Sequence, residues 1–253
     1  MAVDAALAGS VDGGGAPVLR FYRWSPACLS FGRHQSADGR YDQDKVRRAG
    51  VDVVRRPSGG RAVLHQRELT YSVCLPASRG RPRQLYQSVN RALVRGLRSL
   101  GVPVSLAPSL NGSLPKPSLT PCFGDAVPGE VIAAGRKLVG SAQARYQSSI
   151  LQHGSLLLDG DQSEVHGLLC SPPETLATAP ARLSAWLDPL PSWKHLAVAL
   201  AAGFAGEFGV ELVASALSAE ESARARELVE SRFGNPAWTW QGRVPESTLQ
   251  PVG

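Results

Sequence analysis

The sequence predicts an α+β fold, and three observations carry that expectation. Strand-like and turn-rich stretches fill the first half of the 253 residues, helical periodicity takes over beyond Asp161, and one segment, 83–100, holds a long apolar stripe. A chain of this length buries one substantial core, so a single domain is expected over 1–253, with a helical C-terminal part from about 162.

Element by element, MAVDAALAG is helical but begins abruptly; the chain is expected either to be short there or to start downstream of its true start codon. Residues 17–24 (PVLRFYRW) alternate as a strand does, and SPACLSFGRHQS then supplies turn chemistry. Residues 41–49 have a short helical pattern stopping at Gly50, a C-cap residue. Val51–Arg56 is a β-branched strand running into Pro-Ser-Gly-Gly, and Glu68–Leu75 is a second strand. In 83–100, Leu85, Val89, Leu93, Leu97 and Leu100 share one face, with Arg91, Arg95 and Arg98 off it. Residues 105–121, rich in Pro, Ser and Asn, read as a mobile loop. Glu130–Ala134, Lys137–Tyr146 and Ile150–Leu158 read as three adjoining strands, the first two joined at Gly135-Arg136. Ser192–Phe208 is amphipathic, and Ser218 with Glu221 makes a capping box for a helix ending near Gly234.

Composition narrows the function. Apolar residues make up 43% and charged residues 19%, too apolar for general disorder. No apolar run approaches the roughly 20 residues of a membrane-spanning helix. The opening stretch lacks the basic and long apolar regions of a secretory signal, so a cytoplasmic protein with no membrane partner is expected. Cys28, Cys74, Cys122 and Cys170 lie far apart with no C-x-x-C pair, which argues against structural zinc and for reduced thiols. Lys plus Arg at 27 against Asp plus Glu at 21 gives +6, a balance that mildly favours an acidic partner. Arg47-Arg48, Arg55-Arg56 and Arg79/Arg81/Arg83 are short, scattered and not interleaved with aromatics, so nucleic acid is not the expected partner.

Four stretches could carry chemistry. In RRPSGGRAVLH (55–65), two glycines directly after a strand make either an ordinary hairpin turn or a cradle of N–H groups for an oxyanion, with Arg56 adding charge. The spacing of Gly60 and His65 fits no phosphate loop. In GRKLVGSAQ (135–143), if Leu138 and Ala142 share one strand face around Gly140, then Lys137, Val139 and Ser141 share the other; Lys137 is either a surface lysine or lies against a groove. In QHGS (152–155), Gly154 marks a bulge or a close approach, and His153 is either a satisfied core histidine or a ligand-facing one. Cys122, in TPCF, needs a nearby cation or base to act as a nucleophile, and Lys137 could meet it across a loop and a strand. Cys28 and Cys74 read as buried inert thiols, and Cys170 as a chemically silent residue at a helix end.

Together, RRPSGGRAVLHQRELTYSV, GRKLVGSAQAR and ILQHGSLLL resemble, in order and separation, the lipoate–protein ligase and octanoyltransferase superfamily, which includes biotin–protein ligases. FYRWSPACLSFGRHQ and MAVDAAL look like that family's opening, so the resemblance covers residues 1–160 strongly and the helical tail loosely. It implies a mixed central β-sheet with surrounding helices, as in class II aminoacyl-tRNA synthetases and biotin ligases. It also implies an acyl tunnel near the Gly-Gly loop and a lysine at the carbonyl end. On this resemblance Lys137 is the family lysine; Arg56, Ser58, Gly59 and Gly60 form the loop over the acyl or adenylate group, and His65 closes it. Gly140, Ser141 and Ala142, with His153, Gly154 and Ser155, line the opposite wall.

The family splits by chemistry. Ligases make a lipoyl-adenylate with ATP, whereas transferases take octanoate from acyl carrier protein through a cysteinyl thioester. One transferase branch places its cysteine before the lysine strand in a Cys-Phe context and has the form His-x-x-Glu-Leu-Thr-Tyr-Ser; Cys122-Phe123 and His65–Ser72 match it. Two departures are that the branch begins some residues before Met1 and that the loop before Cys122 is unusually proline-rich. The resemblance therefore implies an octanoyl-[acyl carrier protein]:protein N-octanoyltransferase with Cys122 as nucleophile, activated by Lys137, and needing no metal or cofactor. Its donor would be octanoyl-acyl carrier protein, and its acceptors lipoyl domains of 2-oxoacid dehydrogenase subunits or the glycine cleavage H protein. ATP and Mg enter only under the alternative, a lipoate–protein ligase; a non-catalytic acyl-binding module is the third reading.

Overall fold

Alternation along one long strand organises the molecule. In the computed structural model, which describes residues 1–108, 126–172 and 179–243, β5 (Glu68–Pro76) lies between β1 (Val18–Tyr22) and β10 (Ser149–Leu157), with β9 (Val139–Arg145) at the far edge. All three pairings are antiparallel. Their register stacks Arg20, Ser72, His153 and Ala142 in one row across one face, and Tyr22, Thr70, Ser155 and Gly140 in the next. Leu69, Tyr71, Val73 and Leu75 point to the opposite face, as the two-residue period of a strand requires.

That opposite face is apolar. It buries Leu85, Val89, Leu93 and Leu97 of α3 (Pro82–Ser99) and Leu196, Leu200 and Phe204 of α4 (Trp193–Phe208). The α3 stripe is as expected, and Pro82 occupies the first turn, where a missing N–H costs nothing. Buried Gly96 shows why the contact surface is wider than the stripe: a Cβ there would lie 2.8 Å from the Ala199 carbonyl oxygen, so α3 and α4 pack backbone to backbone. The polar face is covered by α1 (Ala2–Asp12), whose Leu7, Ala8 and Val11 meet Cys74 and Leu151. On its far side, α1 packs against α5 (Ala219–Leu228), whose N-terminus carries the Ser218–Glu221 capping box.

Two smaller sheets flank this one. β2 (Cys28–Phe31) runs parallel to β3 (Asp52–Arg55) and antiparallel to β4 (Val63–His65), in the order β3-β2-β4, with α2 (Gln43–Arg48) between β2 and β3 in the chain. β6 (Val104–Leu106), β7 (Val131–Ala133) and β8 (Arg136–Lys137) form an antiparallel set. Arg55, only 1% exposed, ties the chain's later segment to this core. Its guanidinium donates to the carbonyls of Trp238, Thr239 and Trp240 on one side and of Gly32, Arg33 and Gln35 on the other, at 2.7–3.2 Å. Trp238 Nε1 donates back to the Arg55 carbonyl at 3.1 Å. No described helix is long and apolar enough to cross a membrane.

The architecture is α+β, with several corrections to the sequence reading. The mixed sheet is divided into three. SPACLSFGRHQS is not all turn: it contains β2, whose four residues are all buried and so show no alternation. The Pro/Ser-rich 105–121 segment begins inside β6, and 109–125 lie outside the described residues. The strand expected over Lys137–Tyr146 breaks at Leu138, which is fully buried; β8 and β9 belong to different sheets, so Lys137 and Ser141 do not share a strand face.

Candidate active site

The Arg56–Gly60 loop carries the chain from β3 to β4. Both strands pair with β2 and not with each other, so Gly59-Gly60 is a crossover past the end of β2, not a hairpin turn. The crossing needs glycine twice. Gly60 has φ +96°, where a side chain is strained, and a Cβ on Gly32 would lie 1.9 Å from the Gly60 carbonyl oxygen. Arg56, buried, braces the loop from inside: its guanidinium donates to the carbonyls of Ser30 (2.9 Å), Gly59 (3.1 Å) and Arg61 (2.9 Å) and to Ser30 Oγ (2.6 Å). Arg33 N–H donates to the Ser58 carbonyl at 2.8 Å.

Between this loop and the polar face of the four-stranded sheet lies a cleft with about 410 Å³ of empty space, part of it open to solvent. Arg56, Gly60, His65, Gly140, Ser141, Ala142, His153, Gly154 and Ser155 line it, joined by Met1, Val63 and Thr70. Room for the cleft is left where edge strand β9 presents Gly140 and Ala142, which fill little space, opposite Ser155 and His153. Gly154 is a close-approach position: a Cβ there would lie 2.4 Å from the Gly140 carbonyl oxygen and 2.6 Å from the Tyr71 ring. Small residues and a few placed polar groups suit an alkyl chain ending in a polar carbonyl.

Polar side chains fix the walls. Ser58 is buried behind His153, its Oγ 2.5 Å from His153 Nε2. His153 Nδ1 faces Asp4 Oδ2 across 3.8 Å, too far for a hydrogen bond but close enough for the carboxylate to favour the Nδ1–H tautomer, so Ser58 donates to Nε2. Burial pushes the His153 pKa down, against the pull of Asp4, so the ring is neutral. Asp4 is fully buried and accepts from Arg20 Nη1 (2.8 Å), Tyr22 Oη (2.7 Å) and Ser72 Oγ (2.9 Å). Burial opposes its ionisation, but the Met1 amine, His153 and Arg20 outweigh it and hold the carboxyl far below the usual range. His65 Nε2 lies 2.7 Å from Ser30 Oγ, and its ring stacks on Trp24.

Lys137 is buried but is not part of the cleft wall; its Nζ donates to Glu130 Oε1 at 2.6 Å, in a pair whose members are both about 4% exposed. Burial raises the Glu130 pKa while Lys137 lowers it. Gly59 is half-buried beside the cleft without lining it. Cys122 lies outside the described residues. Among the described thiols, Cys28 and Cys74 are buried, and burial pushes Cys28 up to about 12 and Cys74 higher still, so neither is a nucleophile. Cys170 is exposed, just past a 3₁₀ turn (Gln162–Leu168).

Residues 1–204 match the lipoyl protein ligase A/B catalytic domain. The chain belongs to that family. Within the lipoyl protein ligase A/B family, the octanoyltransferase LipM of Symbiobacterium thermophilum is 37% identical, covering 94% of this chain and 92% of its own. The octanoyltransferase LipM of Kyrpidia tusciae is 39% identical, covering 95% and 93%. A crystal structure of lipoate-protein ligase A bound with ATP superimposes with a TM-score of 0.80 at 26% identity, covering 96% of this chain and 93% of that one. A bi-partite lipoate protein ligase from Thermoplasma acidophilum, described with its E2 lipoyl domain, gives 0.79 at 25%, covering 98% and 92%.

Sequence reasoning missed Asp4, Glu130 and Thr70. Asp4 lies in the helical MAVDAALAG stretch with no local partner to mark it, and only the tertiary fold turns it onto Ser72, 68 positions away. Glu130 carried a usable signal: it stands seven residues before Lys137, across the tight turn at Gly135.

Proposed function

We infer that this lipoyl protein ligase A/B family member is an octanoyltransferase of protein lipoylation, and we propose a cysteinyl-thioester route. The observation that carries the reading is the LipM likeness, which runs through 94% of the chain and so includes every motif that borders the cleft. In the proposed route the octanoyl chain lies along the floor of Gly140 and Ala142, with its carbonyl toward the mouth. The thiolate of Cys122 attacks the carbonyl of octanoyl-acyl carrier protein; the C–S bond to the carrier breaks and the carrier thiol leaves with a proton. The ε-amine of a lysine on a lipoyl domain then attacks the enzyme thioester, forming the amide, returning the Cys122 sulfur and releasing one proton. The route takes Lys137 as the cation that favours the thiolate, which requires its ammonium to turn from its resting partner Glu130 to the Cys122 sulfur. The thioester supplies the driving force, so no nucleotide or metal is consumed.

Intact mass after mixing with octanoyl-acyl carrier protein tests this. A hydroxylamine-labile octanoyl adduct that disappears in Cys122→Ala is the expected result. No adduct on the wild-type protein overturns it. The ATP-bound structural neighbour favours one alternative, an ATP-driven ligase. Under that alternative, Cys122→Ala keeps ATP-dependent lipoylation of a lipoyl domain.

A further inference from the structure

Three lining side chains converge on one carboxylate that is not itself part of the lining. Glu68, 3% exposed, accepts hydrogen bonds from His65 Nδ1 at 2.7 Å, from Thr70 Oγ1 at 2.5 Å and from Ser155 Oγ. His65 comes from β4, in the sheet that carries the Gly-Gly loop. Thr70 and Ser155 face each other on β5 and β10, in the sheet that forms the other wall. The cleft lies between these two sheets, so this carboxylate is a cross-brace between its walls.

The same contacts settle what His65 offers the cleft. An acceptor-only carboxylate at Nδ1 requires Nδ1–H. In a neutral ring protonated at Nδ1, Nε2 is an acceptor, so the Ser30 O–H donates to it at 2.7 Å while Ser30 Oγ accepts from Arg56 Nη1 at 2.6 Å. Trp24 covers the ring at a centroid distance of 4.7 Å, and Trp24 Nε1 donates to Thr70 Oγ1 at 2.9 Å, whose own O–H donates to Glu68. Both ring nitrogens are therefore engaged in this network.

We propose that Glu68 is a positioning residue that sets the width of the acyl cleft through His65, Thr70 and Ser155, and that His65 acts as a wall and not as a proton carrier. The inference rests on the octanoyl-transfer reading. A braced wall discriminates by cross-section, admitting a straight alkyl chain and resisting the wider dithiolane ring of a lipoyl chain.

The test compares wild type, Glu68→Asp and Glu68→Gln with octanoyl- and lipoyl-carrier thioesters. Glu68→Asp keeps the charge but is one methylene shorter, and Glu68→Gln replaces one accepting oxygen with a donor. The expected result is a change on the order of tenfold in the octanoyl/lipoyl ratio of kcat/KM, the effect of a pocket altered by about one methylene, carried mainly by KM. The His65 ring ¹⁵N shifts should report Nδ1–H in the resting wild type and a gain of Nε2–H in Glu68→Gln. A ratio that stays within about twofold in both variants overturns the proposal, as does a wild-type His65 that is mainly Nε2–H. A wild type that forms no octanoyl adduct sinks the transfer reading instead, and the ring shifts then decide the role of Glu68 by themselves.

Discussion

The two faces of the four-stranded sheet are made by the same strands and do opposite work. One face packs Leu69, Tyr71, Val73 and Leu75 against two helices; the other turns Glu68, Thr70 and Ser72 toward α1 and the cleft. On the apolar face stability comes from area removed from water and tolerates volume-conserving change. On the polar face every buried group depends on a partner, and loss of one leaves others unsatisfied. A strand register that serves both faces cannot slip by a residue without exchanging core for site.

Breaking the polar face at its most connected point should cost most. Asp4→Ala leaves Arg20, Tyr22 and Ser72 without their acceptor, and urea unfolding should show a loss of about 4 kcal/mol, with transfer activity falling as well. Leu93→Ala on the other face opens a cavity under a fully buried side chain and should cost about 3 kcal/mol, while KM for the donor stays unchanged in the folded fraction. Ala142→Val, on the cleft floor opposite His153, should lower kcat/KM by roughly tenfold, or about 1.4 kcal/mol, with a melting temperature close to wild type. The smallest effect is in pH. The His153 pKa is depressed from 6.5 in the folded state, so below pH 6.5 the unfolded chain takes up a proton that the folded one refuses. Stability should therefore fall as pH drops below that value, by at most about 1.4 kcal/mol per pH unit from this group, and His153→Gln should flatten the slope.

How much of this was legible depended on the range of the determining contacts. α3 and β5 are long and periodic, and their patterns alone place them. β2, β4 and β6 are three or four residues long and owe their conformation to neighbours in space. Most of the cleft could be read only through the family resemblance, which carries Gly140–Ala142 and His153–Ser155 onto one wall. The groups that hold those residues in place could not: Ser58 reaches His153 across 95 positions and Ser155 reaches Glu68 across 87. Lys137 shows the opposite case, a residue read as lying either at the surface or against a groove, which is buried on Glu130, beside a break in the strand it was placed on.

The six-carbonyl embrace of Arg55 bears on how the molecule could be shortened. Ending the polypeptide at residue 204, where the catalytic-domain match ends, would remove the carbonyls of Trp238, Thr239 and Trp240, half of the acceptors that hold the buried Arg55 guanidinium in place. Because Arg55 also grips Gly32, whose lack of a side chain admits the Gly60 crossover, the damage would reach the cleft from its far side. The turn at Ala237–Gln241 thus acts as a keystone for the first motif, and a shortened chain has to keep it.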